Sequence, residues 1–232
     1  GGVVASGKVG VGTAHTSIVN SSTVLSTLFE DAHIADASSV GITAAADTDI
    51  GSFAASAAAA DQTGVAGVSS LVVSSNYVEA SMGDDSGVFI AVRPELGDDD
   101  QGDLFIRATN EYKGLNIAGD AAGGSTVGIG AALATNFVSN TTNAFIGEGA
   151  EARAYHGIDL AALSTQDLRT VAAGGAGAEK VGVAASSTVN TLTTQTHAYI
   201  GYGAGVNRPR WPMPVIVSPE QYVSITATDD TK

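Results

Sequence analysis

The chain repeats itself along its length, and this repetition limits the folds that it can adopt. The pattern Val-Gly-(Ile/Val), a stretch rich in Thr, Ser and Asn, and then Ala-(Phe/Tyr)-Ile-Gly occurs at 127–147 and again at 181–201, and the two copies align without a gap. An internal period of roughly 20–50 residues or a little more is typical of solenoids and arrays. The repetition therefore says much about shape and little about chemistry.

Two landmarks divide the chain into about four units, at 9–64, 65–126, 127–180 and 181–232. The first landmark is a Val-rich opening that begins at Val9, Val65, Val127 and Val181. The second is a short aliphatic-x-Ala segment that begins at Ile42, Ile106, Leu160 and Ile225. An acid follows each of these segments, and these acids are Asp47, Glu111, Asp167 and Asp229.

The residues of each unit favour strands and tight corners. Segments such as 69–80 and 188–200 are dense in Thr, Val, Ser and Tyr, with glycines close to their ends. We therefore predict an all-β fold, a parallel β-solenoid (β-helix) forming a single domain over 1–232 in which each unit supplies two or three rungs. Ser, Thr and Asn are expected to stack in ladders between rungs. An antiparallel β-sandwich is the competing architecture.

Composition restricts the core and the partners. Hydrophobic residues make up 44% of the 232 residues but aromatic residues only 6%, so the core must be narrow and filled by Ala, Val and Ile. The net charge of −14 argues against binding of nucleic acid, because that contact depends on Lys and Arg neutralising phosphates.

The sequence contains no apolar run long enough for membrane insertion, and it has no cysteine. It begins at Gly1 without Met, and we expect a mature or internal piece of a longer protein.

Two segments interrupt the repeat and are expected to leave the stack as loops on one face. The first is an acidic insertion at about 84–114, where Asp98, Asp99, Asp100 and Asp103 are a candidate calcium site because Ca²⁺ prefers carboxylate oxygens. The second is a Trp/Pro loop at 207–214, where Trp211, Arg208 and Arg210 are candidates for partner binding.

The sequence does not identify a reaction, and we expect no enzyme and no catalytic residues. A glycosidase needs two carboxylates facing each other across a groove, and such a pair is normally unique. The acids found here recur from unit to unit, which is more typical of turns. Two alternatives remain open: a β-helical polysaccharide-degrading enzyme, and a calcium-stabilised module that binds carbohydrate or protein. Apart from calcium, no cofactor is expected.

The phrases Val-Gly-Val-Ala-x5-Asn-x7-Ala-Tyr-Ile-Gly (181–201) and Val-Gly-Ile-Gly-x5-Asn-x6-Asn-Ala-Phe-Ile-Gly (127–147) carry a resemblance. They resemble repeats of large bacterial leukotoxin-type filamentous adhesins, and of haemagglutinin-like autotransporter passengers. The resemblance covers most of 127–204 well and 1–126 loosely. It implies an extracellular β-helical fibre that mediates adhesion or forms surface structure, and it supplies no catalytic residues.

The resulting expectation is an extracellular, cell-surface segment, structural or adhesive, that acts by stacking and surface binding. Its expected partners are further repeats of the same chain or other copies of it, stacked end to end as a homo-oligomer or filament, and a host or neighbouring cell surface.

Overall fold

The computed structural model describes residues 2–90, 102–208 and 221–232, and in these residues every regular element is a strand. The strands are β1 (Gly2–Ser6), β2 (Val9–Leu28), β3 (His33–Ala37), β4 (Val40–Ala60), β5 (Thr63–Met82), β6 (Gly87–Ile90), β7 (Leu104–Gly124), β8 (Val127–Ile146), β9 (Glu151–Arg153), β10 (Gly157–Ala178), β11 (Val181–Ile200), β12 (Gly205–Val206) and β13 (Tyr222–Thr231).

The strands form three parallel sheets. Sheet A has the order β1-β4-β7-β10-β13, sheet B the order β2-β5-β8-β11, and the short sheet C the order β3-β6-β9-β12. The chain passes from B to C to A and then back to B, so each passage is one coil of a solenoid. The predicted parallel β-solenoid is confirmed. The antiparallel sandwich is wrong, because each strand pair of the described residues is parallel.

Each unit supplies one coil, not the two or three rungs that the sequence predicted. The reason is strand length: the strands of sheet B are 20 residues long, so one face of the coil uses up more than a third of a unit. At about 3.3 Å per residue such a strand spans roughly 66 Å, whereas four coils spaced about 4.8 Å apart rise only roughly 19 Å.

The pairing register reveals a regular coil of 54 residues. Val9 pairs with Thr63 and Val127 with Val181, positions that differ by 54 in each case. The second unit therefore opens at Thr63 and not at Val65. A shift of two residues keeps the same side chains inward, so the alternating pattern could not exclude it.

Two coils are longer than this repeat, and the extra residues fall at one corner. Val40 pairs with Leu104, 64 positions later, and Ile158 pairs with Val223, 65 positions later. The acidic insertion is thus narrower than the predicted 84–114, because both β6 and β7 pair normally and only the residues between them are extra. The second insertion lies between β12 and β13 and includes the predicted 207–214.

The interior is a wedge between sheets A and B. Turns of two residues, such as 61–62 and 179–180, join the end of each sheet A strand to the next sheet B strand, so the two sheets converge there. A Cβ added at Gly64 would lie 2.2 Å from the carbonyl oxygen of Gly123, which shows how closely the two backbones approach. At the wide end, next to sheet C, the fully buried side chains are large: Met82, Leu104, Ile106, Ile146, Ile158 and Leu160.

Asparagine ladders occupy the middle of the wedge, as the sequence predicted. The Asn20 amide donates to Asn76 Oδ1 (3.3 Å), and the Asn76 amide donates to Asn140 Oδ1 (3.0 Å). In a second ladder, the Asn136 amide donates to Asn190 Oδ1 (2.7 Å). These bonds between coils satisfy polar groups that would otherwise be costly to bury.

Candidate interaction surfaces

The predicted calcium ligands lie largely outside the described residues, and the ion site remains a prediction. Asp98, Asp99 and Asp100 fall in 91–101, which the structure does not describe. Asp103 is described, and its backbone carbonyl accepts a hydrogen bond from Val40 N (3.0 Å). Within 2–90, 102–208 and 221–232, no three His, Asp or Glu side chains converge as metal ligands would.

The predicted partner-binding loop is anchored at a single point of the coil. Trp211 and Arg210 lie outside the described residues, whereas Arg208 is exposed. At the first residue of the loop, Asn207 Oδ1 accepts the N–H of Ala154 (2.8 Å). Just after it, the Gln221 amide donates to the carbonyl of the same Ala154 (2.8 Å). The loop therefore leaves and rejoins the solenoid at one place.

Both insertions branch from the same corner of the solenoid. Each one leaves after a sheet C strand, β6 or β12, and returns into a sheet A strand, β7 or β13. The two loop bases are two coils apart, which is about 10 Å along the axis at the usual strand spacing. This agrees with the expectation that the insertions share one side, although they are far apart in sequence.

The outward side of sheet A, called face A, is charged. Its ionic groups form pairs between alternate residues of one strand or between neighbouring strands. The pairs on this face are Arg107–Asp159 (2.6 Å), Lys113–Glu111 (2.5 Å), Arg169–Asp167 (2.9 Å) and Lys232–Asp230 (3.2 Å). The hydrogen bond with Glu111 raises the pKa of Lys113.

The recurring acids belong mainly to this face, but they do not occupy one register position. Asp47 pairs directly with Glu111. Asp167 aligns with Lys113, two residues further along. Asp229 pairs with Ser164, a buried residue, so it lies on the opposite side of its strand. The expectation that these recurring acids mark turns is wrong, because all four lie within strands of sheet A.

The outward side of sheet B, called face B, carries almost no charge. It consists of the odd-numbered residues 9–27, 63–81, 127–145 and 181–199, ten positions in each of four strands. Glu79 is the single Asp, Glu, Lys or Arg among these positions. Its carboxylate accepts hydrogen bonds from Tyr77 Oη and from Ser81 Oγ (3.2 Å).

Face B is instead apolar and hydroxyl-rich. Its exposed apolar side chains are Val9, Val11, Val19, Leu25, Ile129, Leu133, Phe137, Val181, Val183, Val189 and Tyr199. The row Thr13, Gly67, Ala131 and Ala185 crosses all four strands and forms the floor of an open groove of about 750 Å³. Sequence reasoning missed this face, because finding it requires assigning every strand residue to the inside or the outside.

Comparisons of the chain with protein-family models, with curated proteins and with solved structures find no match. Among the described residues, none belongs to a helix long and apolar enough to cross a membrane.

Proposed function

We propose that this chain is a structural or adhesive segment of an extracellular surface fibre, extended by adding further coils to its open ends. Those coils are further repeats of a longer parent chain or other copies of this chain. The proposal includes the extracellular location, which the repeat resemblance implies and which an acidic, cysteine-free composition suits.

One observation carries this proposal: the long edge strands of sheet B contain none of the charged residues or prolines that usually block pairing. Sheet B ends in β2 on one side and in β11 on the other. Alternate backbone N–H and C=O groups of an edge strand point away from its sheet, and natural proteins block such edges with charges, Pro or bulges. The 20 residues of β2 and the 20 of β11 include no Lys, Arg, Asp, Glu or Pro.

The geometry of the ends favours head-to-tail growth. Because the four described strands of sheet B are parallel, the β11 edge of one segment presents to the β2 edge of the next the same arrangement that β8 presents to β11. A contact between two different surfaces of the same molecule that does not close into a ring generates a filament. Each segment of such a filament would present the same outward faces and insertion loops, so a binding surface would recur at every segment. The segment would act by binding and not by catalysis.

A charge placed inside the open end tests the proposal. Thr188 is exposed on β11 and pairs with the buried Ala134, so its side chain points towards the interior that a further coil would cover. Thr188→Lys should abolish end-to-end particles in electron micrographs, because a further coil would bury an unpaired ammonium group. Thr109→Lys, at an exposed outward position of the central strand β7, is the matched control and should assemble normally.

Uniform single-segment particles of the unmodified chain at every concentration would count against assembly between copies. If Thr188→Lys and Thr109→Lys both formed end-to-end particles as the unmodified chain does, the exposed end at β11 would not be the contact between segments.

A further inference from the structure

We propose that face B is a lateral interface on which a second copy of this chain docks, so that two solenoids lie side by side. This contact is separate from end-to-end stacking, since it uses outward side chains and no edge strand.

The distribution of charge selects this face. The chain carries a net charge of −14, so two copies repel each other in most orientations. Face B has one carboxylate in 40 positions, and that carboxylate is hydrogen-bonded by Tyr77 and Ser81. Contact through face B keeps the ion pairs of face A in water, where they need not be desolvated.

The size of the face suits a stable pair. Four strands of about 66 Å at a spacing of about 4.8 Å cover roughly 1,250 Å², and a standard interface needs about 800 Å² from each partner. Contiguous apolar patches larger than a few hundred Å² are unusual on monomers and typically mark interaction sites. Two such faces would pack about 10 Å apart, as the sheets of a sandwich do.

Small and large side chains complement each other in one such arrangement. We consider a two-fold axis that runs parallel to the coil axis and passes through the middle of the sheet B strands. It places the groove row Thr13, Gly67, Ala131 and Ala185 of one copy opposite the row Thr23, Tyr77, Thr141 and Gln195 of the other. Tyr77, the largest of these side chains, then faces Gly67. Both copies point the same way along the axis, so both can still add coils.

A matched pair of lysine variants tests the contact. Leu133 lies on face B with 41% of its surface exposed, and Leu163 lies on face A with 39% exposed, both in the third coil. Neither side chain belongs to the buried core, so both variants should keep the far-UV circular dichroism of the unmodified chain. Sedimentation equilibrium of the unmodified chain should show a side-by-side dimer in addition to any species that grow end to end.

Leu133→Lys should weaken the dimer at least about tenfold, equivalent to about 1.4 kcal/mol, because symmetry buries a new charge from each copy. Leu163→Lys should keep the dimer dissociation constant within about twofold of that of the unmodified chain, because face A stays in water in the proposed dimer. The same two measurements are repeated in the Thr188→Lys background, where the dimer should persist although end-to-end growth is lost.

Three results would overturn the proposal: a monomer at all concentrations, equal effects of the two lysines, or loss of the dimer in the Thr188→Lys background alone. The last result would assign all association to the coil ends, and it would leave the proposed function standing without the lateral interface. A monomer that nevertheless adsorbs to an uncharged polysaccharide through Leu133 would assign face B to a different partner.

Discussion

At the scale of single residues, one acid is placed where the fold disfavours its charge. Asp120 points into the narrow part of the wedge with 9% of its surface exposed, and neither carboxylate oxygen has a hydrogen-bond partner of good geometry among the described residues. Burial raises the pKa of Asp120, an effect that the nearby backbone N–H of Ala131 opposes. A raised pKa means that the folded chain binds the proton more tightly than the unfolded chain does.

Stability should therefore depend on the protonation of Asp120. The neutral acid suits the fold below the pKa of the unfolded chain, and stability falls as the pH rises through the higher pKa of the folded chain. Asp120→Asn should stabilise the protein at pH 7 by on the order of 1 kcal/mol, and this gain should vanish under acidic conditions. Thermal melts across pH measure the difference. Asp47→Asn, at an exposed position of face A, should show no such gain; a gain from Asp120→Asn that is independent of pH would contradict the assignment.

Glycine at the tight corner is required by distance and not by an unusual backbone angle. An added Cβ at Gly64 would meet the Gly123 carbonyl oxygen at 2.2 Å, whereas one at Gly67 would meet no atom within 4 Å. Gly64→Ala should destabilise the protein by about 2 kcal/mol, because the two sheets must separate. Gly67→Ala, three residues along the same strand, should leave the melting temperature unchanged or slightly raised. Equal melting temperatures for the two variants would show that sheets A and B can separate at this corner without loss of stability.

At the scale of elements, the strands around the repeated landmarks could be located from the sequence, but their length of about 20 residues could not. The aliphatic-x-Ala segments at Ile42, Ile106, Leu160 and Ile225 all stack in register, because β-branched and leucine side chains must fill the wide end. The start of the second unit could not be located, since Thr63 replaces the valine of the other units and a slip of two residues preserves the alternation. Thr is β-branched like Val and fits the same outward strand position.

The surfaces were harder to predict than the strands. Charge on a face depends on which residues of several distant strands point outward together, and sequence order separates these residues by 54 or 64 positions. The sequence shows that the segments forming β2 and β11 contain no charged residues. This absence indicates an unprotected edge only when the structure shows that these two strands lie at the edges of sheet B.

The acidic insertion is the element on which a metal ion would act. If Asp98, Asp99, Asp100 and Asp103 bind Ca²⁺, calcium at about 100 times its dissociation constant should stabilise the fold by about 2.7 kcal/mol relative to a chelator. Differential scanning calorimetry with CaCl₂ and with EDTA measures this shift. The double variant Asp98→Asn and Asp100→Asn should lose it, and the control Asp47→Asn and Asp49→Asn should retain it. Identical melting temperatures of the unmodified chain with CaCl₂ and with EDTA would contradict the hypothesis that the acidic insertion binds Ca²⁺.

At the scale of the whole molecule, the two proposed contacts are mutually perpendicular and have different physical origins. Growth along the axis satisfies backbone hydrogen bonds at the β2 and β11 edges. Side-by-side pairing through face B removes apolar side chains from water.

The 54-residue coil also sets a mechanical character. Each turn advances the axis by only about 4.8 Å, so a hundred turns would reach only about 480 Å while consuming thousands of residues. In such a polymer most residues of each coil run around the axis, so they add to the width of the fibre and little to its length. Since resistance to flexing rises steeply with cross-section, a fibre of this kind would behave as a stiff strut close to its point of attachment and would be a poor long tether.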